Sequence, residues 1–194
     1  MTEIRIEPAS ADRFDDVEHA LTGGGDGASC WCQWWMLRNR DFVAATSDER
    51  RELLRGDLDA PVPSALIAYV DDEAAGWVKV APRPDQPRLA ATRAFQQSPE
   101  PFDDPSVWAI TCFVVRREHR GAGVANRLLE AAIAHARAHG ARVIEGYPVD
   151  TDAKKTSSNG LFHGSLSSFT SAGFTEVARP SAARPIVSLT VSER

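Results

Sequence analysis

Cysteine, long apolar runs and excess basic charge are all scarce in this chain. The 194 residues include only three cysteines, and Cys30 and Cys32 are separated by one residue, so a disulfide framework is excluded. No apolar run approaches the roughly 20 residues that span a bilayer. The N-terminus lacks the basic stretch and apolar core of a secretion signal. We therefore expect a soluble, cytoplasmic protein.

The charge balance excludes broad binding to polyanions. The formal net charge is −5, whereas nucleic acids and anionic membranes attract proteins through a basic face. We therefore expect neither a nucleic acid nor a membrane as a partner. The five histidines form no pair at ligand spacing that could join Cys30 and Cys32, so we also expect no metal site.

Length and composition favour one domain. A hydrophobic content of 43% can fill one sizeable core, and 194 residues are too few for two domains of ordinary size. We therefore interpret residues 1–194 as a single domain. Two segments within it differ from the rest: residues 22–46 are rich in glycine and tryptophan, and residues 81–105 are rich in proline.

The most informative stretch is residues 112–125, where a β-branched strand ends in a basic loop that opens into a helix. Gly121 and Gly123 let the backbone approach a ligand closely, and the first N–H groups of a helix have no intrahelical partner. These donors and the helix dipole favour a phosphate or pyrophosphate group. Nearby guanidinium groups add positive charge, from Arg116, Arg117, Arg120 and Arg127. The alternative is a tight turn with solvated arginines.

The remaining patterns surround this unit with alternating strands and helices. Apolar residues at helical spacing follow Gly123 as far as Gly140, and a short strand over 142–146 comes next, which makes a parallel crossover. Further strands are predicted over 3–7, 64–70, 75–80, 174–178 and 184–191. Further helices are predicted through Phe14 and Leu21, from a Ser47 cap to about Gly56, and over 162–172.

This order of elements resembles the GNAT N-acetyltransferase superfamily across nearly the whole chain. Residues 120–125, followed by Leu128 and Leu129, resemble that family's acyl-CoA pyrophosphate loop. Residues 172–174, Ala-Gly-Phe, resemble its helix-to-strand junction near the C-terminus. The resemblance implies the α/β (α+β) GNAT fold, in which helices flank a central mixed sheet of about seven strands.

The resemblance also implies where acetyl-CoA binds and how it reacts. Its pantetheine arm would pair with the backbone of Phe113, Val114 and Val115, between two parallel strands that splay apart. A neutral amine would attack the thioester directly, and a backbone N–H near Phe113 or Val114 would stabilise the tetrahedral oxyanion. This chemistry needs no metal. The pyrophosphate would bind Arg120, Gly121, Ala122, Gly123, Val124 and Ala125.

The chain departs from the family's pattern at both usual proton-transfer positions. Ala109 occupies the strand position of a frequent catalytic glutamate, and Phe169 replaces a frequent catalytic tyrosine. Glu145 and Tyr147, at the end of the other splayed strand, are the substitutes we favour as base and acid. The alternative is that Glu145 faces solvent and Tyr147 braces a proline. His163 and Ser168 are second choices.

The acceptor side is expected to come from the two unusual segments, 22–46 and 81–105. Trp31, Trp34 and Trp35 would line an aromatic cavity that binds the substrate, unless these rings only cap the core. The sequence thus predicts an acetyl-CoA-dependent N-acetyltransferase for a primary amine of a small molecule or peptide. The alternative is a non-catalytic acyl-CoA sensor or interaction module. Family members often form dimers, so a homodimer is an expected assembly.

Overall fold

A seven-stranded sheet organises the chain, with strand order β1-β2-β3-β4-β5-β7-β6. The computed structural model describes residues 3–191. Strands β4 and β5 are parallel, and every other neighbouring pair is antiparallel. This arrangement confirms the predicted mixed sheet and its helices. The strands, from β1 to β7, are Ile4–Pro8, Ala65–Val70, Glu73–Pro82, Val107–Val115, Val143–Gly146, Thr175–Ser181 and Arg184–Thr190.

Helices cover both faces of the sheet, which is why β2 reads as a continuous apolar run. Successive side chains of a strand point to opposite faces. Leu66 and Ala68 accordingly pack in one cluster with helix α6, and Ile67 and Tyr69 pack in another with α1. The α-helices, from α1 to α7, are Phe14–Thr22, Gly27–Cys30, Asn39–Ala44, Ser47–Asp57, Pro87–Ala91, Val124–Ala138 and Leu166–Ser171. No helix within residues 3–191 is long and apolar enough to cross a membrane.

The helix predicted over 162–172 is shorter than its sequence pattern. Gly164 has φ of +79°, which a continuous right-handed helix cannot contain. Helix α7 therefore begins only after Ser165, whose side chain accepts a hydrogen bond from the N–H of Ser168. The residues before this break form a separate 3-10 turn, Ser158–Leu161.

Strands β4 and β5 separate halfway along β4. Their pairing extends only from Val107 to Ile110, because β5 ends at Gly146. Thr111 is the extra residue of a β-bulge, since Lys79 pairs with Cys112 whereas Val80 pairs with Ile110. The second half of β4 therefore has β3 on one side and an open cleft on the other.

A reciprocal capping box starts α4, one residue before the predicted Ser47 cap. The Thr46 hydroxyl accepts a hydrogen bond from the N–H of Glu49, and the Glu49 carboxylate accepts one from the N–H of Thr46. Thr46→Ala removes the cap oxygen, so it should lower the free energy of unfolding by about 1 kcal/mol in urea titrations. Thr46→Ser keeps that oxygen and should stay close to wild type; equal losses in both variants would contradict the capping role.

Candidate functional site

A cavity of about 600 Å³ lies beside the second half of β4, where β5 has ended. One wall is strand β4 over residues 112–115, and the start of α6 adjoins it through Ala125 and Leu129. The opposite walls come from the segment between α1 and α3 and from residues 158–169. The cavity therefore follows the cleft between the splayed strands.

The loop before α6 presents unpaired backbone donors at the mouth of this cavity. Gly121 and Gly123 have φ of +81° and +82°, conformations that favour glycine. Within the described chain, the N–H groups of residues 121–125 have no hydrogen-bond acceptor, whereas those of Asn126 and Arg127 bond to Gly123 O. The loop is exposed, and a Cβ added at either glycine would meet no atom within 4 Å. The loop can therefore accept an anion without rearrangement.

Only two of the four arginines near the loop are directed to the cavity side. Arg120 lines the cavity, and its Nε donates to Val115 O. Arg117 lies beside Gly24, within the stretch that forms the opposite wall. The other two are engaged elsewhere: Arg116 binds Glu118 and the C-terminal end of α1, and Arg127 pairs with Glu130 on the exposed face of α6.

The backbone of β4 faces the cleft at alternate residues. The N–H of Arg116 bonds to Ala75 on β3, so the polar groups of Val115 and Phe113 point away from β3 and those of Val114 point toward it. The backbone of Val114 is therefore directed to β3, although Val114 itself lines the cavity, and its contact with a ligand stays a prediction. The N–H of Phe113, the predicted oxyanion donor, already donates to Phe162 O at 2.6 Å. Val115 offers the free N–H on this stretch of the described chain.

Glu145 and Tyr147 lie outside the cavity, in a buried ionic network. Both Glu145 and Arg83 have fully buried side chains, and Arg83 donates to Glu145 Oε2 at 2.7 Å. Tyr147 donates to the same oxygen at 2.9 Å, and Ser98 donates to Oε1 at 2.5 Å. Burial, and then the charge of Glu145, raise the pKa of Tyr147 well above its ordinary value. The assignment of these two residues as base and acid is therefore not supported by their placement.

The proline-rich segment 81–105 supplies this network and not the cavity. Arg83 and Ser98 belong to it, and the buried side chains of Leu89 and Phe95 pack it against Tyr147. None of the residues lining the cavity comes from this segment. The segment therefore lies away from this cavity, and its role on the acceptor side stays a prediction. The prolines of this segment exclude a central strand, but they do not indicate which face of the sheet the segment covers.

The three predicted substrate-binding tryptophans are dispersed. Trp34 lines the cavity, with the ring of Phe42 edge-on at 5.1 Å. Trp31 is buried near α4 and donates to Ser47 Oγ. Trp35 is buried against Phe95. Neither Trp31 nor Trp35 lines the cavity, because these consecutive large rings point in different directions from an irregular segment.

Several cavity residues were not predicted from the sequence. Cys30, Cys32 and Cys112 line the cavity, of which Cys32 and Cys112 are buried, and the lining residue Asp26 is exposed. In the described chain, Asp26 supplies the one carboxylate of the lining. This grouping could not be predicted from the sequence, because Cys112 is eighty positions from Cys32. The two residues share a buried cluster only in the folded chain.

Of the two second-choice residues, Ser168 lines the cavity and His163 is buried beside it. Ser165 Oγ donates to Ser168 Oγ at 3.0 Å, which leaves the Ser168 hydroxyl hydrogen free. His163 Nδ1 lies 3.0 Å from Thr111 O. Burial, and then the positive charge of Arg184, lower the pKa of His163 to about 3. His163 is therefore neutral near pH 7 and donates through Nδ1.

One group of converging metal-ligand atoms exists among residues 3–191. Glu73, Glu118 and His119 have their ligand atoms within 4.8 Å of one another, at the surface. Glu118 accepts a hydrogen bond from Arg116, and His19 contacts Glu73. These contacts give the carboxylates a structural role, and the cavity cysteines are not part of the group.

Breaking the buried pair should destabilise the fold strongly. Glu145→Gln leaves the Arg83 charge without its counter-ion, which predicts a loss of about 3–5 kcal/mol in the free energy of unfolding. The double variant Arg83→Met, Glu145→Leu removes both charges and should recover much of that loss. Urea titrations of the three proteins measure this difference. A Glu145→Gln protein as stable as wild type would refute the structural role.

Acid should weaken the fold through His163. The pKa of His163 falls from 6.5 to about 3 in the folded chain, so the unfolded chain binds the extra proton between these values. Stability is therefore fully present above pH 6.5 and decreases as the pH falls toward 3. His163→Asn keeps a donor for Thr111 O but does not titrate, and its stability should vary less over this range. Identical pH dependence in urea titrations of the two proteins would contradict this assignment.

Comparisons with known proteins identify both the family model and the fold that this chain matches. The model described as "Acetyltransferase (GNAT) family" matches residues 31–162. PaiA N-acetyltransferase from Thermoplasma acidophilum, solved with coenzyme A, is 12% identical with a TM-score of 0.56, covering 97% of this chain and 99% of that one. An agmatine N-acetyltransferase mutant is 10% identical with a TM-score of 0.58, covering 97% and 99%. No curated protein sequence matches the chain.

Proposed function

The chain belongs to the GNAT acetyltransferase family, and we propose that it transfers an acetyl group from acetyl-CoA to a primary amine of a small molecule or peptide. One observation carries the proposal. The five N–H groups of residues 121–125 have no acceptor in the described chain, and they stand at the mouth of a cavity that follows β4. A diphosphate bound there would leave the rest of the cosubstrate directed inward.

The residues present fit acetyl-CoA. The free N–H groups and Arg120 offer the donors that a pyrophosphate needs. Along the cleft, the N–H of Val115 and the carbonyl of Phe113 offer strand-like partners for an amide-containing arm. The N–H of Phe113 becomes available only if Phe162 O releases it. Bound acetyl-CoA would supply an activated acetyl group at the inner end of this cleft.

The remaining walls suit an amine with an apolar body. Trp34 and Phe42 present aromatic surface, which can contact either hydrocarbon or a cation. Asp26 at the rim would attract an ammonium group. We therefore expect an acceptor whose amine is attached to an aromatic or aliphatic group, in preference to a strongly polar one.

Direct attack by the amine, as expected from the sequence, requires a group that removes its proton. The lining residues described offer Asp26 as their carboxylate, at the exposed rim and not at the inner end. Glu145 is committed to Arg83, and His163 is buried with Nδ1 on Thr111 O. Direct attack therefore stays a prediction that depends on water to carry the proton.

A bulky residue at position 123 should weaken coenzyme A binding. Gly123→Leu places a side chain where the diphosphate would meet the free N–H groups, and calorimetric titration should show at least a tenfold weaker affinity, about 1.4 kcal/mol. Gly140→Leu is the matched control. Gly140 has a similar φ of +86°, equally open surroundings and a position at the far end of α6.

A leucine at either position adopts an unfavourable backbone conformation, which should cost each variant about 1–2 kcal/mol of folding stability. A loss of coenzyme A affinity in Gly123→Leu alone would therefore come from the binding site and not from the fold. Equal affinities in wild type and Gly123→Leu would refute the pyrophosphate assignment. Acetylation over a panel of primary amines then tests the reaction. Coenzyme A binding without turnover of any amine would favour the sensor function instead.

A further inference from the structure

A short segment closes the inner end of the cleft. Residues 158–163, which we call the strap, lie against β4 just where β5 has ended. The carbonyl of Phe162 accepts a hydrogen bond from the N–H of Phe113 at 2.6 Å, and His163 Nδ1 donates to Thr111 O at 3.0 Å. The strap therefore pairs two backbone groups of β4, one on each side of Cys112.

The chain after the strap is bonded to the opposite side of the cleft. The N–H of Val149 donates to Gly164 O at 2.9 Å, and the N–H of Leu166 donates to Val149 O at 2.8 Å. Val149 follows β5 along the chain. Residues 162–166 thus bridge the two strands beyond the point at which they separate, and the Phe162 carbonyl occupies space within the cleft.

The chain before the strap is held only by local contacts. In the part of the chain that the structure describes, every hydrogen bond of residues 151–161 has its partner within residues 150–164. Residues 151–155 and 157–159 are exposed. The contacts of Phe162 and His163 with β4 are therefore the main hydrogen bonds that hold the strap in place. Releasing one of them disturbs little else, as expected of a segment that opens locally.

The N–H that Phe162 covers is the next donor on the expected path of acetyl-CoA. Counted inward from the diphosphate loop, the groups of β4 that face the cleft are the N–H of Val115, the carbonyl of Phe113 and the N–H of Phe113. The first two suit the amide-containing arm, whose terminal sulfur carries the acetyl group. A cosubstrate in this register places the acetyl carbonyl oxygen at the third group, where Phe162 O lies.

We propose that the strap reserves the oxyanion donor for acetyl-CoA: Phe162 O pairs with the N–H of Phe113 in the protein alone and is displaced by the acetyl carbonyl oxygen. His163 is the positioning residue, because its bond to Thr111 O fixes the adjacent Phe162 peptide. This inference rests on the proposed function. Free CoA ends in a thiol and has no carbonyl at that point, so it should bind with the strap in place. The site therefore distinguishes acetyl-CoA from CoA.

The exchange replaces one acceptor with another and moves no proton. Contacts with the diphosphate and the pantetheine arm supply the free energy, since they hold the acetyl carbonyl against the N–H. Phe162 lines the cavity, so its carbonyl can bond to water after it turns away and is not left unpaired. During amine attack the acetyl oxygen becomes an anion, and the N–H of Phe113 binds an anion more strongly than the neutral Phe162 carbonyl.

Amide NMR spectra of the isotopically labelled full chain test the displacement, with CoA and acetyl-CoA as the two probes and no amine present. Signals of residues 121–125 should shift with both probes, because both carry the diphosphate. Signals of Phe113 and of the strap should change with acetyl-CoA, because Phe162 O then leaves the N–H of Phe113. With CoA they should stay close to those of the protein alone.

Two substitutions at position 163 test the positioning role. His163→Leu removes the donor to Thr111 O and loosens the strap, so acetyl-CoA should gain about fivefold in affinity relative to CoA, the value of one hydrogen bond. His163→Asn keeps a donor and should retain the wild-type ratio of the two affinities. Calorimetric titrations measure both. A purely structural defect would change the two affinities alike and leave their ratio unaltered.

The outcomes separate this inference from the proposed function. Shifts of residues 121–125 with both probes, together with equal signals of Phe113 and the strap in the two complexes, would overturn the displacement and leave the proposed function intact. No response of residues 121–125 to CoA would overturn both. A wild-type affinity ratio in folded His163→Leu would refute the role of His163. The spectra of the wild-type chain decide the displacement even where that variant does not fold.

Discussion

The unequal lengths of two neighbouring strands are the constraint on which the rest of this structure depends. Strand β4 has nine residues and β5 has four, so half of β4 has no partner on one side. An unpaired strand edge must bind something or be covered. Here Phe162 covers the N–H of Phe113, and the N–H of Val115 is left to the cleft. The cavity, its loop of free donors and its thiols all lie along this edge.

Charge is placed differently on the two sides of the β4–β5 junction. On one side, Glu145 and Arg83 form a buried ion pair, and the hydrogen bond from Ser98 to Glu145 helps to hold the proline-rich segment against the sheet. Lys79, in contrast, is buried without a carboxylate partner in the described chain, and its Nζ donates to Ser64 Oγ. The first arrangement fixes structure because every charge is satisfied. The second leaves a buried lysine whose observed partner is a neutral hydroxyl.

Local patterns in the sequence predicted the elements, whereas the assignment of side chains to the site needed the fold. The strand, loop and helix around Gly121 were predictable because glycine, arginine and helical spacing act over a few residues. Glu145 was misjudged because its partner, Arg83, lies in a distant segment whose packing no local pattern indicates. Cys32 and Cys112 were separate features in the sequence, since only the β3–β4 pairing and the fold of residues 22–46 bring them together.

Hydrogen–deuterium exchange of the backbone, measured with and without coenzyme A, tests the central claim most directly. The N–H groups of residues 121–125 and of Val115 should exchange freely in the protein alone and become protected when coenzyme A is added. Protection should be strongest in the loop, because those amides would bond to the diphosphate. Unchanged exchange at these positions while coenzyme A binds and protects another surface would contradict the account.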